Sequence, residues 1–235
     1  MSTLRRLLRL AGLTLLALLG AVGATVAVRW ATAPPSPGLP PGFAVAPDSS
    51  ATRPALRAEL LRRFALDQAV RERTDLRSLA DLASPRGLWD AAGAAIAMER
   101  VDRPNRRRVR ALVADGWPTA ADVGTDGLEA LFHLVQHADL ALQREALGPF
   151  GAAWRAGDLE GQLLALLTDR VRMGEGRPQL YGSQLRATAS AGMALYPIEA
   201  PEAVDARRAA MGMPPLADYL DTACRETQIC VELPS

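Results

Sequence analysis

The chain has 235 residues, a formal net charge of +1 and 49% hydrophobic residues, enough for a folded domain that buries its own core without staples. All 27 basic residues are Arg, so Schiff-base chemistry on a Lys amine and a P-loop, which needs its Lys, are both excluded. The near-neutral balance gives no electrostatic footprint for nucleic acid.

Arg5, Arg6 and Arg9 precede an uncharged run from Leu10 to Val28. As a helix that run is ~28 Å long, enough to cross a bilayer core. The excess of Arg before it places the N-terminus inside and the rest of the chain outside. Residues 1–32 therefore read as a membrane anchor, with a periplasmic domain beyond it. The alternative is a signal segment cleaved at Val22-Gly-Ala24 or Ala31-Thr-Ala33, giving a secreted protein. Residues 33–54 hold seven Pro and form a semi-rigid linker. Residues 55–235 form the folded domain.

Within that domain, apolar spacing predicts a helix over 55–73, with Leu56, Leu60, Leu61, Phe64 and Leu66 near one side. A short helix follows over 76–82. Ser84-Pro85 is an N-cap followed by a first-turn Pro, and helices follow over 87–101 and 105–114. The strongest helical pattern covers 125–147, closed by Gly148-Pro149. A short helix over 150–156 comes next, then one over 158–173. Gln179 to Leu185 reads as a short strand, and residues 201–211 and 216–222 as short helices. The fold class is mainly α with a small β-hairpin or short sheet; the alternative is α+β. Cys224 and Cys230 are the only cysteines. In an exported chain they pair, contributing roughly 2 kcal/mol for so short a loop.

On a helical wheel of 125–147, Leu128, Leu131, Leu134, Val135, Ala138 and Leu142 gather on one side. His133 and His137 fall nearly opposite, while Asp139 lies among the apolar residues and Gln136 at their edge. On 158–173, Arg170 lies within the apolar face and Asp169 outside it. A carboxylate among apolar residues needs a partner, so an Asp139–Arg170 pair is expected between the two helices. His133 and His137 have the i, i+4 spacing that two metal ligands use, but no third ligand stands at a recognised spacing, so no metal or other cofactor is assigned. His137 is the candidate general acid or base, with Asp169 or Asp139 as its orienting group. In an extended 179–184 segment, Gln179, Tyr181 and Ser183 share a face. The five Arg in the run from Arg103 to Arg110 read as a solvated face or a contact with anionic lipid heads, since no aromatics interleave them.

The ordered series Gly116-Trp-Pro-Thr119, Gln136-His-Ala-Asp139, Thr168-Asp-Arg-Val171, Gln179-Leu-Tyr-Gly-Ser-Gln184, Pro197-Ile-Glu199 and Pro215-Leu-Ala-Asp-Tyr-Leu220 resembles a bacterial family of unknown function, number 6624, over about residues 100–220. The resemblance implies no activity. It adds weight to His137 and Asp169 as catalytic candidates and to Gln136, Asp139, Arg170, Gln179, Tyr181 and Gln184 as binding candidates. Two functions follow as expectations: an envelope-facing domain that binds a ligand or a protein, or a hydrolase of an envelope component. A purely structural module is the third reading. Convergence of two carboxylates on His137 in a concave pocket would favour the enzyme.

Overall fold

The computed structural model describes residues 30–32, 38–72, 84–187, 193–227 and 230–231. The apolar run 10–28 and the helix expected over 76–82 lie outside them. No helix among the described residues is long and apolar enough to cross a membrane.

The fold is mainly α with a short β element. In chain order it comprises α1 (Pro54–Glu72), α2 (Pro85–Val113), α3 (Ala120–Gln136), α4 (Leu140–Ala156), α5 (Gly161–Gly174), β1 (Leu185–Ala187), β2 (Met193–Leu195), a 3-10 turn (Pro201–Ala203), α6 (Val204–Ala210) and α7 (Leu216–Thr227). β1 and β2 are antiparallel, with Arg186 opposite Ala194.

Two compact units divide the chain, one of Met1–Gly38 with Gln68–Val101, the other of Leu39–Asp67 with Asp102–Ser235. In the first unit, Ser84 caps α2 through its hydroxyl, which accepts from the Gly87 amide at 3.0 Å. The Arg100 guanidinium lies 5.1 Å from the Trp30 ring centre.

The second unit carries the main core. α3 is buried on several faces, through Val123, Leu128, Leu131, Phe132, Leu134 and Val135, and α4 and α5 pack against it through Leu142, Phe150, Leu164 and Leu167. A smaller cluster of Leu195, Val204, Leu216 and Leu220 joins the strands to α6 and α7. Gly161 opens α5 where a Cβ would collide with the Met211 carbonyl, so this close approach requires glycine.

Several boundaries differ from the sequence reading. The helix expected over 125–147 is two helices, α3 and α4, because the chain leaves helical geometry at Asp139 (φ −74°, ψ 161°), whose carboxylate accepts from the Leu142 amide and starts α4. This is the side-chain competition for backbone amides that makes Asp an N-cap residue. Gly148-Pro149 does not end a helix, as Pro149 lies inside α4. The helices expected over 87–101 and 105–114 are one, α2, with Pro104 inside. In both cases the apolar residues on either side of the Pro are buried, among them Ala146 with Phe150, and Val101 with Val109. That burial offsets the ~3 kcal/mol that an interior Pro costs.

Cys224 and Cys230 are joined by a disulfide.

Candidate functional site

Polar residues of α1 and α2 meet in an antiparallel ladder in the second unit. Glu59 takes two bonds from Arg108, Nε to Oε1 at 2.7 Å and Nη2 to Oε2 at 2.8 Å. Arg63 donates back to Glu59 at 2.8 Å and forward to Asn105 Oδ1 at 3.0 Å. The guanidiniums of Arg108 and then Arg63 hold the Glu59 carboxyl down to about 2. Part of the basic run thus serves internal ion pairs, not a purely solvated face.

The next rung holds Asp67 on α1 and Asp102 on α2, and there the ladder meets His137. His137 follows the last residue of α3, and its Nδ1 lies 3.1 Å from Asp67 Oδ1. The Asp67 side chain is 1% exposed and that of His137 21%. One ligating atom from each of Asp67, Asp102 and His137 lies within 4.8 Å of the others. A sheltered carboxylate thus grips one ring nitrogen of a histidine that solvent still reaches. This is how a second group fixes tautomer and ring orientation.

His133, one turn earlier, is engaged elsewhere. Its ring stacks on Phe64 at 4.7 Å and its Nε2 lies 3.7 Å from Glu129. Burial pushes its pKa below the ordinary histidine value. The face expected to oppose the apolar side of α3 is therefore covered by Phe64 of α1.

The remaining candidates form a separate construction. Asp169 is fully buried. Its carboxylate accepts from the amides of Leu180 at 2.6 Å, Tyr181 at 3.1 Å and Ser183 at 3.0 Å, and from the Ser183 hydroxyl at 2.8 Å. Gln179, also fully buried, donates to the carbonyls of Gln184 and Tyr196 and accepts from the Gln184 amide. Arg207 and Arg208 hold the carbonyls of Leu180 and Tyr181 at 2.7 Å and 2.6 Å. Residues 179–184 are consequently a loop wrapped on a carboxylate, not the expected strand. A strand turns successive amides to opposite sides, whereas here three of four face one group, and Gly182 adopts φ 67°. Tyr181 is half-buried, and burial followed by the Asp169 charge pushes its phenol up.

Neither expected orienting group reaches His137. Asp169 is committed to the loop. Asp139 caps α4 and takes Arg110 Nη2 on both oxygens at 2.6 Å; that guanidinium, chiefly, pulls the Asp139 carboxyl below its usual range. The expected Asp139–Arg170 pair is also corrected. Arg170 donates to the Gln136 carbonyl at 3.0 Å and approaches Gln184 Oε1 at 3.5 Å. Asp139 faces Arg110 because the chain turns at 137–139, which takes it off the surface that a continuous helix would have given it.

Of the predicted residues, Gln136, Arg170 and Gln184 are contiguous, and Gln136 adjoins His137 in the chain. Two clefts in this unit lie elsewhere. One, of about 270 Å³, is lined by Trp117, Leu128 and Phe150. The other, of about 280 Å³, is lined by Glu129, Asp158 and Leu163.

The pattern of a family of unknown function, DUF6624, matches residues 54–227. The chain belongs to that family. The match begins at the start of α1, well before the residues that carried the resemblance, so it takes in both Asp67 and Asp102. No curated protein matches the chain, and no solved structure does.

Proposed function

We propose that this DUF6624 member is a membrane-tethered domain facing the cell envelope, and that the Asp67–Asp102–His137 cluster is its working centre for hydrolysis of an envelope component. The observation that carries this reading is the half-buried His137 held through Nδ1 by a buried carboxylate, with a second carboxylate alongside. Such an arrangement suits water activation: one ring nitrogen is fixed, and the other is the one a water or substrate hydroxyl would meet. The tether rests on the uncharged run 10–28 and the Arg residues before it.

Ligand binding without turnover is the second reading. It draws on the partly buried guanidinium of Arg170 and amide of Gln184, which lie next to Gln136. Both groups suit an anionic or carbonyl-bearing ligand.

The test is turnover by the full-length chain in detergent on separate pools of envelope esters, amides, glycosides and phosphoesters, read by mass spectrometry. His137→Ala is expected to lower the rate by about 100-fold or more, the lower range for losing general acid–base catalysis, with its far-ultraviolet circular dichroism kept. Equal rates for variant and wild type, or no turnover on any pool, would overturn the hydrolytic reading.

A further inference from the structure

We infer that Asp67, Asp102 and His137 form a binding site for a divalent transition metal, Zn²⁺ or Mn²⁺. The inference rests on the reading of this cluster as the working centre and adds the ion that the centre uses. On it, the histidine nitrogen facing Asp67 becomes a ligand and the metal takes over the activation of water.

Geometry is the first argument. Metal–ligand distances of ~2.0–2.2 Å place the ligand atoms of one site roughly 3–3.5 Å apart. His137 Nδ1 and Asp67 Oδ1 already stand 3.1 Å apart. All three ligating atoms lie within 4.8 Å of one another, so closing the set takes side-chain shifts of ~1.5 Å or less. The ligands come from α1, α2 and the residue after α3, three segments of one compact unit, so the site does not depend on a single mobile loop.

The donor set selects the ion. Two carboxylates and one imidazole suit borderline cations. Ca²⁺ asks for six to eight oxygens, and Mg²⁺ prefers water and carboxylate oxygen. A thiolate-seeking ion has no ligand here, because both cysteines are bonded to each other. Three protein ligands are the number that leaves a position for water in a catalytic zinc site, and a metal brings the pKa of such a water to about 7.

A second observation lies one turn along α2. Asn105 is 5% exposed, its Oδ1 accepts from Arg63, and its Nδ2 has no partner. Asn105 and Asp102 share the face of α2 that meets α1, so a buried N–H donor is left over next to the carboxylate rung. An oxygen ligand held by the metal is the kind of group that uses such a donor.

The experiment takes the full-length chain in detergent, strips it with chelator, and measures ZnCl₂ and MnCl₂ binding by equilibrium dialysis with elemental analysis. One equivalent per chain is expected. The melting temperature should rise by several degrees at about 100 times Kd. Asp102→Asn and His137→Gln should each weaken binding at least about tenfold, while the exposed Asp115→Asn leaves it unchanged. Co²⁺ substitution gives an independent reading, as its visible bands should shift in His137→Gln even where affinity is kept by water in place of the imidazole. Binding well below one equivalent would overturn the inference, and so would affinity and Co²⁺ spectra that neither variant alters. Hydrolysis that depends on His137 but persists in the stripped chain overturns the metal and leaves the hydrolytic reading. One bound metal without turnover on any substrate pool does the reverse.

Discussion

Replacing Asp169 separates architecture from chemistry. Its carboxylate satisfies four donors: the amides of Leu180, Tyr181 and Ser183, and the Ser183 hydroxyl. The group is fully buried, so bulk water does not reach these donors. A buried donor left unsatisfied costs about 1–3 kcal/mol. Asp169→Ala strands all four, and even at the lower bound the loss is about 4 kcal/mol, a large share of the ~5–15 kcal/mol that holds a typical domain together. Asp169→Asn keeps one acceptor oxygen and turns the other into a donor that faces donors. It should fall between wild type and Ala, at about 2–4 kcal/mol. Urea unfolding of the full-length chain in detergent, followed by circular dichroism, measures the series. An Asp169→Ala variant within about 1 kcal/mol of wild type would refute the assignment of Asp169 to the loop.

The Glu59 carboxyl, held at about 2 by Arg108 and Arg63, gives a pH dependence of definite sign. Its folded pKa lies below the unfolded value, so its stabilisation is present in full above pH ~4.5 and is lost as pH falls through about 2. Side chains about one-third exposed, Glu59 at 31% and Arg108 at 36%, reduce the worth of the shift by screening to about 1–2 kcal/mol. The stability difference between wild type and Glu59→Gln, measured by denaturation across pH ~2–6, should therefore shrink as pH falls, with most of its pH-dependent part gone by pH ~2. A double-mutant cycle on Asp139 and Arg110 should give a coupling of about 0.2–1 kcal/mol, as expected of an exposed pair. The same cycle on Asp139 and Arg170 should give none beyond the ~0.3–0.5 kcal/mol of simple additivity. A larger Asp139–Arg170 coupling would restore the pair that the continuous-helix reading placed there.

The class of fold was legible because the 3.6-residue apolar period persists through most of the domain, and Ser84-Pro85 marks a helix start with its own chemistry. The breaks were harder. Asp139 carries both signals at once: its position continues an apolar stripe, while its side chain is a good N-cap. Burial of Leu128 to Val135 before it and Leu142 to Phe150 after it gives the same periodic pattern whether the two helices are continuous or not. The capping bond to Leu142, which decides the matter, is a contact over three residues that hydrophobic spacing does not register. Pro104 and Pro149 misled in the other direction, since a local breaker yields where tertiary burial on both sides exceeds its cost.

Of the three residues of the proposed centre, one was visible and two were hidden. His137 stood out by type, but its partner was sought on its own helix and the next one, whereas it lies 70 residues back. Asp67 did leave a trace: at 100° per residue it falls about 20° from both Leu56 and Leu60 on α1, inside the stripe that carries the buried residues of that helix. A carboxylate in such a stripe needs a partner on whatever packs there, the same argument that was applied to Asp139. Asp102 left a fainter trace, about 20° from the buried Val109, visible only when Pro104 is read as interior to one helix. Once α1 and α2 are continuous and antiparallel, Glu59 with Arg108 and Arg63 with Asn105 set the register. The next step brings Asp67 opposite Asp102, where the earlier rungs set Glu59 against Arg108 and Arg63 against the Asn105 amide. Asp67 and Asp102 thus meet His137 at one rung, a juxtaposition across three segments that no spacing within a single helix records, and it is this juxtaposition that the metal-binding experiment tests.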